Sequence, residues 1–282
     1  MFQYATARSM SLDNNMQLHI DISSGFKRDK FYKRKYELSG FPIIADVATF
    51  YESIPFWLHR IKRRLSEKDE PLIQNYTYGL FISENRLAYL PELNQLDYRR
   101  DIWLRGYWQS PEYFKKNKIQ VSNELMPTSS GEEIYKVASQ SIKSAESVAL
   151  GIRLYEESVF PNLHSKNGEM KSAEKINTAI KRIRDQIPDC RFFVFCTHRA
   201  KFLEKLMLPS DTIFLTGDEG YIDSKECLRL ISLCKHHIFT NSTFYWWGAW
   251  LSSINYPHDN RMIIASDNFV NSDILCPEWE RF

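Results

Sequence analysis

From about residue 147 the chain alternates short apolar runs with helix-like stretches, and that alternation limits the fold more than any other feature of the sequence. Val148–Ile152, Phe192–Cys196, Thr212–Leu215, His237–Thr240 and Met262–Ala265 are apolar runs of strand length. Helical patterns lie between them. Ser172–Ile187 places Ile176, Ile180, Ile183 and Ile187 on one face, Arg199–Met207 follows the second run, and Ser224–Lys235 sets Cys227, Leu230, Ile231 and Cys234 at i, i+3, i+4 and i+7. About five short strands with intervening helices predict an open parallel sheet covered on both faces. A ligand of such a sheet binds beyond the carboxyl ends of its strands. Three polar clusters fall at those ends and share one edge: Arg153, Thr197-His198 and Asn241-Ser242-Thr243.

Each cluster has a structural and a functional reading. Asn241-Ser242-Thr243 hands a strand over to a helix carrying Trp246, Trp247 and Trp250. It is either a capped helix with a tryptophan-rich buried face or a helix N-terminus that receives a phosphate. Arg153, between Ile152 and Leu154, is either one half of an ion pair, with Glu156 and Glu157 close in sequence, or a forked clamp on an anion. Thr197 and His198 either contact a base or ribose or begin a helix. The sequence contains no G-x-x-x-x-G-K-[ST], no G-x-G-x-x-G, no D-x-D and no His/Cys/Asp cluster at metal spacing. A nucleotide site without a metal motif must meet diphosphate charge with arginine and helix N-termini, and that pattern fits sugar-nucleotide transfer with no cofactor and no metal.

The first half of the chain is less regular. Met1–Met10 has a helical pattern with no cap before it, and Met16, Leu18 and Ile20 alternate with polar residues as in a half-buried strand. Residues 46–66 are helix-like, with Pro55 forcing a boundary or a kink. Residues 76–96 give no assignment. Asp101–Trp108 reads as a strand, Ser110 as the cap of a helix with Pro111 at its first position, and Ser130-Gly-Glu-Glu133 as a capping box. The predicted division is 1–145 and 146–282.

Net charge is +2, so nucleic acid is not implied as a partner. Lys27, Arg28, Lys30, Lys33, Arg34 and Lys35, then Arg60, Lys62, Arg63 and Arg64, form local basic clusters. These are either solvated faces or contacts with an anionic membrane surface or a phosphorylated substrate. The five cysteines include no C-x-x-C pair, and Cys190, Cys196, Cys227 and Cys234, in or beside apolar segments, read as buried free thiols of a reducing compartment. With no run of 18 apolar residues and no signal-peptide pattern, a cytoplasmic protein is expected, with peripheral contact at the inner face of the membrane as an option.

Met1-Phe-Gln-Tyr-Ala, Gly106-Tyr-Trp-Gln-Ser-Pro-Glu-Tyr-Phe114 and the stretch from Ser232-Leu-Cys-Lys-His to Asn241-Ser-Thr-Phe-Tyr-Trp-Trp-Gly-Ala-Trp250 resemble the family 11 glycosyltransferases, the α-1,2-fucosyltransferases, in the same order and over nearly the whole length. The resemblance implies an α/β, GT-B-like fold of two Rossmann-type domains. The N-terminal one faces the acceptor and the C-terminal one binds the GDP-sugar. It implies an inverting, metal-independent transfer of L-fucose from GDP-fucose to a galactose-containing glycan of the cell surface. Arg153 matches the first arginine of the family's His-x-Arg-Arg-Gly-Asp motif, expected to hold the donor diphosphate, and Asn241, Ser242 and Thr243 match its strand-to-helix phosphate turn. Gln3, Tyr107, Trp108 and Gln109 become acceptor-side candidates through the matching motifs. Gly151, Leu154 and Glu156 depart from the motif's His, second Arg and Asp. Thr197-His198 stands where acidic residues often follow the preceding strand. The family's N-terminal strand and Gly-Gly-Leu-Gly-Asn-Gln loop are not found ahead of Met1, so a chain truncated at its start is expected. Two alternatives follow from these departures: a non-catalytic relative that binds GDP or a glycan, and a transferase for another nucleotide sugar.

Overall fold

The computed structural model describes residues 1–23, 26, 35–65, 71–154, 170–257 and 260–282, with only the backbone of 56, 60 and 62–65. Glu156, Glu157, Lys27, Arg28, Lys30, Lys33 and Arg34 lie outside the described residues. The chain forms two compact units, residues 1–39 with 43–124 and residues 40–42 with 125–282.

In the first unit α1 (Phe2–Asn14) buries Phe2, Tyr4 and Ala5. β1 (His19–Ile20) pairs in parallel with β2 (Asp46–Val47), so the strand expected around Met16–Ile20 shrinks to two residues. α2 (Phe50–Leu65) runs on through Pro55, so no helix boundary falls there. β3 (Ile73–Tyr76), β4 (Gly79–Ser83) and β5 (Ile102–Arg105) make a three-stranded sheet, antiparallel then parallel. The hairpin between β3 and β4 lies partly in the stretch that the sequence left unassigned. Ser110 does cap, but its helix is a single 3-10 turn, Pro111–Tyr113. α3 (Lys118–Glu124) is tied to α1 by Arg8, whose Nε and Nη2 donate to Glu124 at 3.0 and 2.9 Å. The Tyr4 hydroxyl also donates to Glu124 and accepts the Ile44 N–H at 3.0 Å, so this buried carboxylate is well satisfied.

The second unit begins earlier than the expected 145/146 boundary, because α4 (Glu133–Lys143) packs inside it. Tyr135, Ala138 and Ile142 are buried there, and the Tyr135 hydroxyl accepts the Asp223 N–H at 3.0 Å. The expected capping box does not form. Glu132 precedes the first turn without a side-chain cap, and the Ser130 N–H is committed to the buried Glu226 carboxylate. Then follow β6 (Glu146–Gly151), α5 (Ala173–Gln186), β7 (Cys190–Cys196), β8 (Ile213–Thr216), α6 (Ser224–Leu233), β9 (His236–Phe239), α7 (Thr243–Asn255), β10 (Ile263–Ala265) and β11 (Glu280–Arg281). All six strands are parallel, in the order β11-β10-β9-β6-β7-β8. The sixth, β11, is an exposed edge strand of two charged residues and carries no apolar signal. Arg199–Met207 is not an α-helix but a 3-10 turn, Lys201–Lys205; its three-residue period drops Leu203 and Leu206 into the core together.

The core follows from the strand alternation. Val148, Leu150 and Ile152 of the β6 segment, with Phe192, Val194 and Cys196 of β7, pack with Ile176, Ile180 and Ile183 of α5. α5 is capped by Ser172 and α6 by Asp223, whose carboxylate accepts the N–H groups of Lys225 and Glu226 at 2.8 and 3.1 Å. α7 is buried continuously from Tyr245 to Ser253, which explains its apolar residues all round. Gly248 lets it approach α6, since a Cβ there would lie 2.1 Å from Ile231 Cγ2.

Candidate active site

β6 comes first in the chain. β7 and β8 extend the sheet to one side of it, and β9, β10 and β11 extend it to the other, so the connection reverses between β6 and β9. Open parallel sheets form their ligand crevice outside the carboxyl ends of the strands at such a reversal. Arg153 lies just beyond β6, and Thr240, Asn241 and Ser242 lie just beyond β9. Both predicted clusters therefore stand at the switch point, and Thr197-His198, beyond β7, borders it on the other side of β6.

The two central segments are stitched together. The Arg153 N–H donates to Thr240 Oγ1 at 2.7 Å, and the Thr240 N–H donates to the Gly151 carbonyl at 3.0 Å. Ile152 and Leu154 are buried on either side while the Arg153 side chain is exposed. The backbone is thus fixed and the guanidinium turned outward. Among the described residues no carboxylate pairs with Arg153; Glu156 and Glu157, the partners named in the ion-pair reading, lie outside them.

Ser242 precedes α7 in an extended conformation, but its side chain makes no cap bond. The tryptophan-rich buried face of the capped-helix reading is present in Trp246, Trp247 and Trp250, while the Ser242 cap is not, and the first-turn N–H groups of Thr243 and Phe244 keep their capacity to meet an anion. Asn241 Nδ2 donates to the Asn268 carbonyl at 3.0 Å, which ties the turn to the segment after β10. Thr197 is exposed and its carbonyl accepts the Gly217 N–H at 3.0 Å; His198 is half-buried and begins no helix.

Thr240 and Tyr245 were not foreseen. The Tyr245 hydroxyl donates toward the carbonyls of Ile152 and Phe195, at 3.1 and 3.0 Å, bridging the ends of β6 and β7. Its ring covers Gly151, where a Cβ would sit 2.4 Å from ring carbon Cγ. The glycine that stands in place of the family motif's histidine is thereby explained. Gly151→Ala is expected to displace Tyr245 and to lower the stability of the second unit by about 1–3 kcal/mol. Chemical denaturation of the two proteins checks this, and an unchanged midpoint would refute the overlap.

The first unit gathers the remaining candidates. Gln3 donates its side-chain amide to the Gly106 carbonyl. Both Glu84 carboxylate oxygens are engaged, accepting the N–H groups of Tyr107 and Trp108 at 2.6 and 3.0 Å. Burial pushes the Glu84 carboxyl up from its ordinary value, and the two N–H donors work against that shift. Trp108 corrects the sequence expectation. It is fully buried among Ile82, Leu90 and Leu93, so its indole has no surface for a glycan. It also holds a left-handed φ of 56° and buries an indole N–H without a partner, two costs of order 1–3 kcal/mol each. Tyr107, by contrast, is 57% exposed, and Gln109 is half-buried.

A family model for glycosyl transferase family 11 matches residues 2–280. The chain belongs to that family. Its members are GT-B-like glycosyltransferases, in keeping with the parallel α/β sheet of the second unit. This family 11 chain is 25% identical to an alpha-1,2-colitosyltransferase of Escherichia coli, covering 100% of the chain and 94% of the relative. It is also 25% identical to the O-antigen biosynthesis glycosyltransferase WbnK of Escherichia coli, covering 96% of each. No solved structure matches it.

Proposed function

We propose that this glycosyltransferase moves L-fucose from GDP-fucose to a galactoside of a surface glycan, forming an α-1,2 linkage with inversion and without a metal. The observation that carries the reading is the switch point, where an outward arginine and an uncapped helix start flank the same strand reversal. As the acceptor hydroxyl attacks the anomeric carbon and gives up its proton to water, the bond from that carbon to the β-phosphate oxygen breaks and negative charge collects on the departing GDP. In this reading Arg153 and the N–H groups at the start of α7 meet that charge, with Asn241 holding the turn and Thr197-His198 reaching the nucleoside side. In the first unit Tyr107, Gln3 and Gln109 serve the acceptor, and Glu84 braces the strained turn that turns the Tyr107 ring outward.

A second reading, transfer of a different deoxysugar, is favoured by the name of the colitosyl-transferring relative, since colitose is fucose without its 3-hydroxyl. The decisive experiment offers GDP-fucose and GDP-colitose with galactoside acceptors and reads product mass and linkage. Fucosylated product with α-1,2 connectivity is expected. Colitose transfer alone would move the chain to the second reading, and GDP binding without any turnover would make it a non-catalytic relative.

A further inference from the structure

The peptide bond between Ile152 and Arg153 is held at both ends. Its carbonyl accepts the Tyr245 hydroxyl at 3.1 Å, and its N–H donates to Thr240 Oγ1 at 2.7 Å. Both side chains are themselves fixed. The Tyr245 phenol also reaches the Phe195 carbonyl at 3.0 Å, and its ring fills the space over Gly151. Thr240 donates its N–H to the Gly151 carbonyl at 3.0 Å and turns its hydroxyl toward the same oxygen at 3.4 Å. Tyr245 is 8% and Thr240 2% exposed, so both lie behind the surface that meets a ligand, and water hardly competes for their bonds.

A trans peptide is planar, so a plane gripped by its carbonyl and its N–H cannot turn about ψ of Ile152 or φ of Arg153 without breaking a buried bond. Those two dihedrals set the direction in which the Arg153 side chain leaves the strand end. An arginine built on a fixed backbone gives up less freedom when it closes on a diphosphate, and a preorganised site gains affinity in that way. Tyr245 adds a second constraint. It lies in the first turn of α7, whose N–H groups form the other half of the proposed diphosphate site. Its hydroxyl therefore ties that helix start to the strand end that carries Arg153. We propose that Tyr245 and Thr240 are positioning residues for donor binding, locking the Ile152–Arg153 peptide so that the guanidinium stands at a set place beside the start of α7. The proposal rests on the reading of Arg153 as the diphosphate clamp.

Tyr245→Phe keeps the ring over Gly151 and removes only the hydroxyl, and Thr240→Val keeps the branched shape and removes Oγ1. GDP binding to the full chain is measured by calorimetry, with thermal melting to show that each variant is folded. Each change is expected to weaken GDP binding by about five- to tenfold and to raise the donor KM while the acceptor KM stays unchanged. In an Arg153→Ala background the same changes should weaken GDP binding by less than about twofold, because no guanidinium is left to position. Packing alone would not produce that loss of effect. Wild-type affinity in both folded single variants would overturn the proposal, as would a weakening of the same size that persists without the guanidinium. GDP binding that Arg153→Ala leaves intact would instead defeat the diphosphate reading, and the positioning role with it.

Discussion

Replacing Arg153 by alanine is expected to lower kcat/KM for transfer by roughly 10²–10³-fold, equivalent to about 3–4 kcal/mol of transition-state stabilisation. The reasoning rests on placement. The Arg153 backbone is pinned by Thr240 and flanked by buried neighbours, so loss of the guanidinium should not disturb the strand end that carries it. Arg153→Lys should recover only part of the rate, because an ammonium cannot hold two phosphate oxygens in the fork geometry of a guanidinium. Steady-state kinetics with varied donor checks both variants, and near-normal turnover in Arg153→Ala would sink the diphosphate role. GDP affinity measured alongside separates ground-state binding from stabilisation of the leaving group.

The second large effect is on stability and comes from the other end of β9. His237 is fully buried, and its Nε2 lies 3.0 Å from the Cys234 carbonyl, which fixes a neutral imidazole donating from that nitrogen. Burial, then the nearby Arg261 charge, push it down from 6.5 to about 3, against the pull of the Cys234 carbonyl. Above pH 6.5 the imidazole is neutral in both folded and unfolded chains. Below it, the unfolded chain takes up a proton that the folded one refuses, so stability is lost as pH falls. The slope from this group is about 1.4 kcal/mol per pH unit, or roughly 3 kcal/mol by pH 4.5. His236, also pushed down by burial, acts in the same direction, whereas Glu124, Glu146 and Glu226, held below their ordinary value, lose their contribution only at lower pH. Denaturant melts of wild type and His237→Gln between pH 7 and 4.5 should show a shallower pH dependence in the variant. Parallel curves would rule the account out.

What could be read from the sequence was what repeats locally. Five of the six strands of the second unit are apolar runs bounded by polar turns, and a parallel sheet built from them puts Arg153 and Asn241 on one edge. β11 escaped because an edge strand of Glu280 and Arg281 has no apolar pattern to find. The 3-10 turn at Lys201–Lys205 escaped because two leucines three apart suit either helix type. Within the site, Thr240 and Tyr245 were invisible for a different reason. Their partners are 87 and 93 residues away, and no local spacing encodes such contacts. Trp108 misled because a motif match reports that a residue matters without saying whether it faces inward, and Glu84 carried no local signal at all.

The packing of Tyr245 on Gly151 makes those two positions a single heritable unit. A histidine at 151, as in the family motif, has no room while the tyrosine ring is there, and a smaller residue at 245 would leave a void beneath the glycine. Each change alone carries a packing cost that the other relieves, so descent between the two versions of this strand end favours a compensated pair. Substitution histories across the family should therefore show 151 and 245 changing together, and grafting the full histidine-containing motif into this chain should fail until residue 245 is reduced with it.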